Sequence, residues 1–351
     1  MSRSSDPPFR LARLRFLLWL ALPLGLAWAM RGVTVRQVID SLRQLTAGEL
    51  FVLAVVNLLV VLAFSGRWWA LLRARGQRLP YLALSGYRLA AFAVSYFTPG
   101  THFGGEPLQV HLLQRRHDVP SHVATASVVL DKAIELIANF AFLGIGLAIV
   151  VRLGLQPAGS GMLLRISSLA LAILPTAYLL AAWRGHRPAS WALARLQWAS
   201  GQAAWKRDVS RWAEATESEV SAAARHSPAG LAAGALFSIL SWVLLIGEWA
   251  LAMRFLEIAL TPAQIIAVVT AARLALFVPL PGAAGALEAS LVLALTSLGV
   301  SSSQALSLAV VIRLRDVAFG AFGLWLGGWL SSPPSVEAPT PGEVHDARLG
   351  P

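Results

Sequence analysis

Ionisable side chains occur at matching positions in two long apolar segments of this sequence. Lys132 is followed by Glu135 in the first, and Arg313 by Asp316 in the second. A spacing of three residues places both members on one face of a helix, where they can form a local ion pair. A charge near the centre of a bilayer costs at least about 2.5 to 3.5 kcal/mol and persists only when it is paired or hydrated. The pairs therefore either fasten packed helices or line a shared polar cavity that attracts an anionic headgroup.

A break rich in proline and glycine precedes each pair. Residues 97–100 (FTPG) interrupt the apolar stretch 82–116, and residues 279–282 (PLPG) interrupt the stretch 263–298. Proline removes a backbone donor and glycine loosens a helix, so both stretches are predicted to form helical hairpins, either re-entrant or spanning twice. Each hairpin then has the N-terminus of a short helix at membrane depth.

Such a helix N-terminus presents unpaired N–H groups and a positive dipole, which suits a phosphate or pyrophosphate. Glu106 and Glu288, each six residues after the break glycine, could instead favour the dipole themselves, cap freed amides or bind a proton. The predicted substrate site comprises Gly100, Gly104, Gly105, Glu106, Lys132, Glu135, Gly282, Gly285, Glu288, Arg313 and Asp316. Secondary candidates are Arg88, Asp131 and Arg273, two of which lie on upstream hairpin arms where arginine can snorkel.

These residues must be positioned by membrane helices. The chain is 56% hydrophobic and 13% charged, which leaves too little polar surface for a water-soluble globule and excludes a soluble enzyme. Six apolar runs are long enough to cross about 30 Å of hydrocarbon, and they cover residues 11–30, 49–65, 122–151, 163–183, 229–256 and 303–330. We therefore predict an all-α polytopic membrane protein with six clear transmembrane helices and two broken hairpins. Residues 1–330 form one transmembrane domain, and residues 331–351 form a disordered tail.

The two hairpins and their charged pairs predict an internal repeat, with halves at about 11–151 and 163–330. Three predicted helices separate the two copies, so the second copy enters the membrane with the opposite polarity. Inverted repeats built on discontinuous helices are typical of alternating-access transporters. The alternative is a chance likeness between hairpins that are rich in Ala, Leu and Gly.

The net charge of +11 sets the predicted orientation. Basic residues concentrate at the N-terminus, at 67–78, at 115–116 and at 184–225, which places both termini in the cytoplasm and favours contact with anionic lipids over nucleic acid. Residues 184–228 carry tryptophans at a spacing of seven, namely Trp191, Trp198, Trp205 and Trp212. This segment is predicted to be an amphipathic helix on the cytoplasmic leaflet or a cytoplasmic helix packed on the bundle.

Short motifs along the chain occur in an order that resembles a known family. They are residues 65–72 (SGRWWALL), 97–106, 128–132 (VVLDK) and 279–288 (PLPGAAGALE), followed by Arg313. Over about residues 11–330 they look like the transmembrane domain of lysylphosphatidylglycerol synthases and related flippase-like integral membrane proteins. Family members often carry Gly-Gly before the second glutamate, whereas this sequence has Gly282-Ala283-Ala284-Gly285, which weakens the second backbone anion site.

The resemblance implies a lipid translocase of the bacterial cytoplasmic membrane. Its substrate is aminoacylated phosphatidylglycerol in the fused enzymes and other lipids or lipid-linked sugars in stand-alone members. Aminoacyl transfer belongs to a soluble C-terminal domain of the fused enzymes, and this sequence ends about 20 residues after its last predicted helix, so we expect no lysylphosphatidylglycerol synthesis.

The predicted function is therefore movement of an anionic or lipid-linked headgroup between leaflets through a central polar cavity. The lipid could be a phospholipid, a polyprenyl phosphate or a hopanoid. No P-loop, dinucleotide-binding, Asp-x-Asp or HExxH motif indicates an enzyme, and no cofactor is expected. His111, His117 and His122 do not share a helical face, which favours interfacial residues over metal ligands. The rival functions are a membrane-embedded lipid-modifying transferase and a non-catalytic membrane partner of a lipid-synthesis enzyme.

Overall fold

The computed structural model of the chain describes residues 45–98, 104–155, 161–195, 204–278 and 280–331, together with Arg36, Asp40 and Arg43. The elements of these residues are all helical, which confirms the all-α class. The predicted span 11–30, the substrate-site residue Gly100 and the tail after Ser331 lie outside the described residues.

The described part of the chain contains eleven α-helices and one 3₁₀ turn. In chain order the helices are α1 (Ala47–Ala74), α2 (Tyr81–Phe97), α3 (Glu106–His117), α4 (Ser121–Arg152), α5 (Gly161–Trp183), α6 (Pro188–Arg195), α7 (Ala204–His226), α8 (Pro228–Phe255), α9 (Pro262–Ala275), α10 (Ala286–Ser297) and α11 (Ser302–Leu330). The 3₁₀ turn, Pro281–Ala283, lies between α9 and α10.

Both predicted breaks are present. The first apolar stretch is divided into α2 and α3, and the second into α9 and α10. Thr98 ends α2 in an extended conformation, as expected for a residue that precedes proline. The break predictions succeeded because proline and glycine act locally on the backbone.

Five of the predicted spans coincide with α1, α4, α5, α8 and α11 to within two residues, except that α1 continues to Ala74. Among the described helices, α1, α4 and α8 are long and apolar enough to cross a membrane by length and composition. Helix α11 is of similar length but carries Arg313, Arg315 and Asp316 in its middle. Three of the six predicted spans therefore correspond to helices that meet the criteria of length and composition. The other three spans remain predictions.

The burial pattern is that of a protein whose helices face lipid. Large apolar side chains such as Phe51, Ile145 and Leu236 are exposed. In contrast, Arg67 and Arg313 are fully buried, as are small polar residues between the helices. Charged groups that face packed protein while leucine and isoleucine face outward are expected when the surrounding solvent is hydrocarbon.

Two parts of the chain share one order of helices. The first segment consists of α2, α3 and α4, of 17, 12 and 32 residues. The second segment consists of α9, α10 and α11, of 14, 12 and 29 residues. A further helix precedes each segment, since α1 comes before α2 and α8 comes before α9.

Each segment contacts the other through its leading helix and its long helix. The leading helix α2 of the first segment packs on α11 of the second, and α9 of the second packs on α4 of the first. A Cβ atom at Gly327 would lie 3.1 Å from the Ala90 Cβ, and one at Gly146 would collide with the Thr270 hydroxyl. The preceding helices α1 and α8 also pack together. Each long helix thus approaches the leading helix of the other segment closely through a glycine.

The segment 184–228 forms α6 and α7, with residues 196–203 outside the described part. Helix α7 packs on α4 and α5 through a face that includes Ala213 and Val220. The Glu217 carboxylate accepts 2.7 Å hydrogen bonds from the first backbone amides of α6. Trp191 and Trp212 are exposed. The segment is therefore attached to the bundle along one face and presents tryptophan on another.

Candidate functional site

The first break positions Glu106 at the first turn of α3. Its Oε2 accepts a 2.8 Å hydrogen bond from the Gly104 amide, and its Oε1 lies 3.0 Å from Lys132 Nζ. Lys132 Nζ also donates to Glu135 Oε1 at 3.0 Å, so the predicted local pair on α4 is confirmed. Lys132 therefore connects the break to the middle of the long helix.

The second break repeats this arrangement with different residue types. Glu288 Oε2 accepts from the Gly285 amide at 2.8 Å, and its Oε1 lies 2.6 Å from Arg313 Nη2. Arg313 Nη1 also donates to the Tyr96 hydroxyl at 3.0 Å and to the carbonyl of Gly282. The break reaches this position because Gly282 and Gly285 adopt positive φ values of 55° and 82°, which favour glycine.

Of the roles left open for the two glutamates, capping of freed amides is the one observed. Gly104 and Gly285 donate to these carboxylates, and Gly105 donates to Ser95 Oγ at 2.9 Å. The amides of Gly104, Gly105 and Gly285 are thus already occupied by oxygen atoms of the protein. A ligand that binds these three amides must displace those oxygen atoms.

The charges around Lys132 extend into a larger cluster, here called the first ion network. Its members are Arg67, Arg88, Glu106, Asp131, Lys132 and Glu135. Arg67 Nε lies 2.7 Å from Asp131 Oδ1 and its Nη2 lies 2.6 Å from Glu135 Oε2. Arg88 contacts the same two carboxylates, each at 2.7 Å. The network joins α1, α2, α3 and α4.

A second set of charges, here called the second ion network, comprises the Glu288–Arg313 pair, the cluster of Glu248, Arg315 and Asp316, and Arg273, which interacts electrostatically with that cluster. Arg315 Nη1 lies 2.7 Å from Glu248 Oε1 and its Nη2 lies 2.8 Å from Asp316 Oδ1. Asn57 donates to the same Glu248 oxygen at 2.9 Å. This network joins α1 to α8, α9, α10 and α11.

The predicted local pair between Arg313 and Asp316 is wrong. Arg313 pairs with Glu288, and Asp316 pairs with its neighbour Arg315. Helical spacing permits the predicted pair, but the second break offers Arg313 a carboxylate, a hydroxyl and a carbonyl in one place. Tertiary contacts therefore determine the partner.

The two networks meet between the segments. Tyr96 belongs to α2 of the first segment and accepts from Arg313 of the second. Arg273 of the second segment interacts electrostatically with Glu135 of the first network as well as with Asp316 and Glu248. The structure thus brings together the predicted ionisable residues Glu106, Lys132, Glu135, Glu288, Arg313 and Asp316, and the secondary candidates Arg88, Asp131 and Arg273, in two adjoining clusters.

Each network contains three basic and three acidic side chains, so its formal charge is balanced. Balance matters because an uncompensated buried charge costs several kcal/mol. Within each network, the described basic and acidic side chains therefore offset one another.

Sequence reasoning missed several members of these clusters. Arg67 was grouped with the cytoplasmic basic residues, yet only 1% of its side chain is exposed and it contacts two acids on α4. The signal was its position, since α1 continues for seven residues beyond it. Arg315 gave a weaker signal, because its partner Glu248 lies on another helix, 67 residues away in the sequence.

In the described part of the chain, no group of three or more His, Asp or Glu side chains has the arrangement of a metal site. His117 instead lies 3.0 Å from the Tyr87 hydroxyl through its Nε2.

The sequence matches the family described as Lysylphosphatidylglycerol synthase TM region over residues 13–323, which is most of the chain. No curated protein matches it significantly.

Proposed function

Because the chain belongs to the Lysylphosphatidylglycerol synthase TM region family and is a membrane protein, we propose that it moves a lipid with a phosphate-bearing headgroup between the leaflets. The headgroup passes between the first and second segments. Its acyl tails stay in the bilayer. The protein acts without covalent change to the lipid.

One observation carries this proposal: each break glutamate is paired with a cation in the middle of a long helix. Lys132 and Arg313 each stand eleven residues after the first residue of α4 or α11. At about 1.5 Å per residue this is roughly 16 Å along the helix, close to the midplane of a hydrocarbon core of about 30 Å. A charged pathway at this depth matches the usual role of intramembrane ionisable residues.

The two segments act as an inverted repeat in this proposal. Support comes from the shared order of helix lengths and from the exchanged packing of α2 on α11 and α9 on α4. If α4, α5 and α8 each cross the membrane once, the segments enter it with opposite polarity. Two similar halves of opposite sense can then expose one central site to either face in turn.

Ion-pair exchange supplies the local mechanism. The phosphate oxygens of the headgroup replace a glutamate oxygen at Lys132 or Arg313, and the released carboxylate keeps its bond to the break amide. Such exchange preserves charge-assisted hydrogen bonds at each stage, which limits the free-energy barrier inside the low-dielectric bundle. The acids keep the empty site from becoming too positive.

The proposed setting is the bacterial cytoplasmic membrane, crossed several times, with both termini in the cytoplasm. The basic ends of the helices support this orientation, since Arg73 and Arg75 lie at the end of α1, and Arg115 and Arg116 at the end of α3. Anionic lipids neutralise these residues at the membrane surface.

Reconstitution tests the proposal directly. Purified protein is inserted into vesicles containing acyl-chain fluorescent phosphatidylglycerol and phosphatidylethanolamine, and an impermeant reductant bleaches only the outer leaflet. We expect the bleached fraction to rise from about half toward completion when the protein is present. Bleaching that stops at the level of protein-free vesicles contradicts translocation, and a new lipid species in mass spectra indicates a modifying transferase.

A further inference from the structure

Glu248 is a buried acid of α8 whose two carboxylate oxygens have unequal surroundings. Only 2% of its side chain is exposed. Its Oε1 accepts hydrogen bonds from Asn57 Nδ2 at 2.9 Å and from Arg315 Nη1 at 2.7 Å. Its Oε2 is also buried, and within the described residues no donor reaches it. A buried polar atom without a partner is uncommon in a folded protein and requires a physical explanation.

The buried acids of the first ion network differ in this respect. Asp131 receives a donor on each oxygen, from Arg67 Nε at 2.7 Å and from Arg88 Nη1 at 2.7 Å. Glu135 likewise accepts hydrogen bonds on both of its oxygens. Compared with these two acids, Glu248 therefore has one oxygen that its protein contacts leave bare.

The charges around Glu248 leave room for one proton. Arg315 contacts Glu248 at 2.7 Å and Asp316 at 2.8 Å, so two carboxylates share one guanidinium. Arg273 completes the formal charge of the second ion network, but its guanidinium lies over the ring of Trp242, with 4.9 Å from its carbon to the ring centroid. Two acids close to one base disfavour each other's charged form, and one bound proton removes that repulsion.

The helices packed on α8 supply no second cation in contact with Glu248 among the described residues. These helices are α1, α4, α7, α9 and α11. The charged residues that share the second ion network with Glu248 are Arg315 and Asp316 on α11 and Arg273 on α9. The central charges of α1 and α4 form the first ion network, and Arg67 reaches α8 at Ser238, 3.3 Å away. On α7, Glu217 accepts from amides of α6 and Glu219 pairs with Arg75.

We propose that Glu248 binds one proton on Oε2 and that this proton crosses the membrane together with an anionic headgroup. The inference rests on the proposed function and adds its energy coupling. The proton is taken from water on one side, forms an O–H bond at Oε2, and is released to water on the other side. Its binding changes the second ion network from neutral to a net charge of +1, which a phosphate offsets. Proton and headgroup therefore strengthen each other's binding to the same extent.

Vesicles with an imposed pH difference test this assignment. Short-chain fluorescent phosphatidylglycerol is added to the outer leaflet, and albumin later extracts the probe that remains there. Without a pH difference, we expect the unaltered protein to distribute the probe about equally between the leaflets. With the outside one pH unit more acidic, movement with one proton should drive the probe inward, toward an excess of up to about tenfold in the inner leaflet.

Two variants of Glu248 locate the proton. Glu248→Gln keeps an acceptor for Asn57 and Arg315 but cannot exchange a proton, so it should move the probe only to the equal distribution. Glu248→Asp retains a titratable carboxylate and should restore part of the excess. Glu219→Gln is the matched control, because Glu219 pairs with Arg75 at 2.7 Å outside both networks. It should accumulate the probe as the unaltered protein does.

The outcomes separate this inference from the proposed function. An equal distribution under the pH difference with the unaltered protein overturns proton coupling alone. An excess that survives in Glu248→Gln, or an equal distribution with folded Glu248→Asp, overturns the assignment to Glu248. No inward movement by the unaltered protein, with or without the pH difference, overturns the proposed function and this inference with it.

Discussion

The two break glutamates have equivalent contacts but unequal surroundings. Glu106 and Lys132 expose 25% and 21% of their side chains, whereas Glu288 and Arg313 expose 16% and none. Arg313 also binds Tyr96 and the Gly282 carbonyl, while Lys132 shares its ammonium group between two carboxylates. Equivalent positions along the chain therefore do not give equivalent accessibility.

The difference follows from the residue types. Arginine offers a rigid fork with five donors and can be satisfied in a fully buried place, whereas lysine is a flexible point charge. The pair in the second network is held on several sides by protein, and the pair in the first network can reach a ligand with less rearrangement. In the proposed transport cycle, the first network is the more open of the two.

The largest effect is expected from removing either central cation. Lys132→Ala and Arg313→Ala should each reduce lipid movement to the level of protein-free vesicles, because each removes the midplane contact proposed for the headgroup. The bleaching assay measures this. Arg211→Ala, which removes an exposed pair with Asp208, is the control and should move lipid normally. Normal transport by both central variants would leave these pairs with a purely structural role.

Stability should separate the same two variants. Arg313→Ala leaves Glu288 buried without its cation and should lower the free energy of unfolding by about 3–5 kcal/mol. Lys132→Ala should cost less, about 1–2 kcal/mol, since Lys132 and Glu106 expose 21% and 25% of their side chains and Glu135 keeps two arginines. Unfolding in mixed detergent micelles measures both values. Equal losses would mean that the difference in burial has no energetic consequence.

A smaller effect should distinguish the two glycine contacts between the segments. Gly146→Ala places a methyl group on the Thr270 hydroxyl and should cost about 1–3 kcal/mol by overpacking. Gly327→Ala meets the Ala90 Cβ at 3.1 Å, so a small shift should keep its cost under about 1 kcal/mol. Thermal unfolding of the two variants compares their losses of stability. A larger loss in Gly327→Ala than in Gly146→Ala would contradict this prediction.

The smallest effect concerns the starts of the long helices. The Ser301 hydroxyl caps α11 by accepting from the Gln304 amide, whereas Pro120 starts α4 without a side-chain cap. Ser301→Ala should cost about 1 kcal/mol and speed hydrogen exchange in the first turn of α11. Pro120→Ala serves as the counterpart in α4 and should produce no loss of capping. Unchanged exchange near residue 304 would contradict the role of the cap.

Much of the fold could be predicted from local sequence signals. The helix ends near residues 121, 152, 228 and 255 follow from charged and proline-rich boundaries, and both breaks follow from proline and glycine. The Lys132–Glu135 pair also followed from spacing, because both partners are on one helix. Predictions succeeded where the determining interactions lie within a few residues of each other.

The site was only partly predictable, because many of its contacts join residues that are far apart in the sequence. Arg67 and Asp131 are 64 residues apart, and Arg313 and Tyr96 are 217 apart. No periodic pattern specifies such partners, and the helical spacing of Arg313 and Asp316 pointed to the wrong one. Which carboxylate a buried cation selects depends on which helices pack together.

The sequence by itself determined that this chain is a membrane protein of helices, with two broken arms and with charged residues inside its long helices, because hydropathy, proline and glycine act through local backbone physics. Only the tertiary structure decided how those charges divide into two balanced networks and which partner each buried cation takes. A buried charge without a partner is strongly destabilising in a low-dielectric bundle, and helix packing determines which partners are within reach.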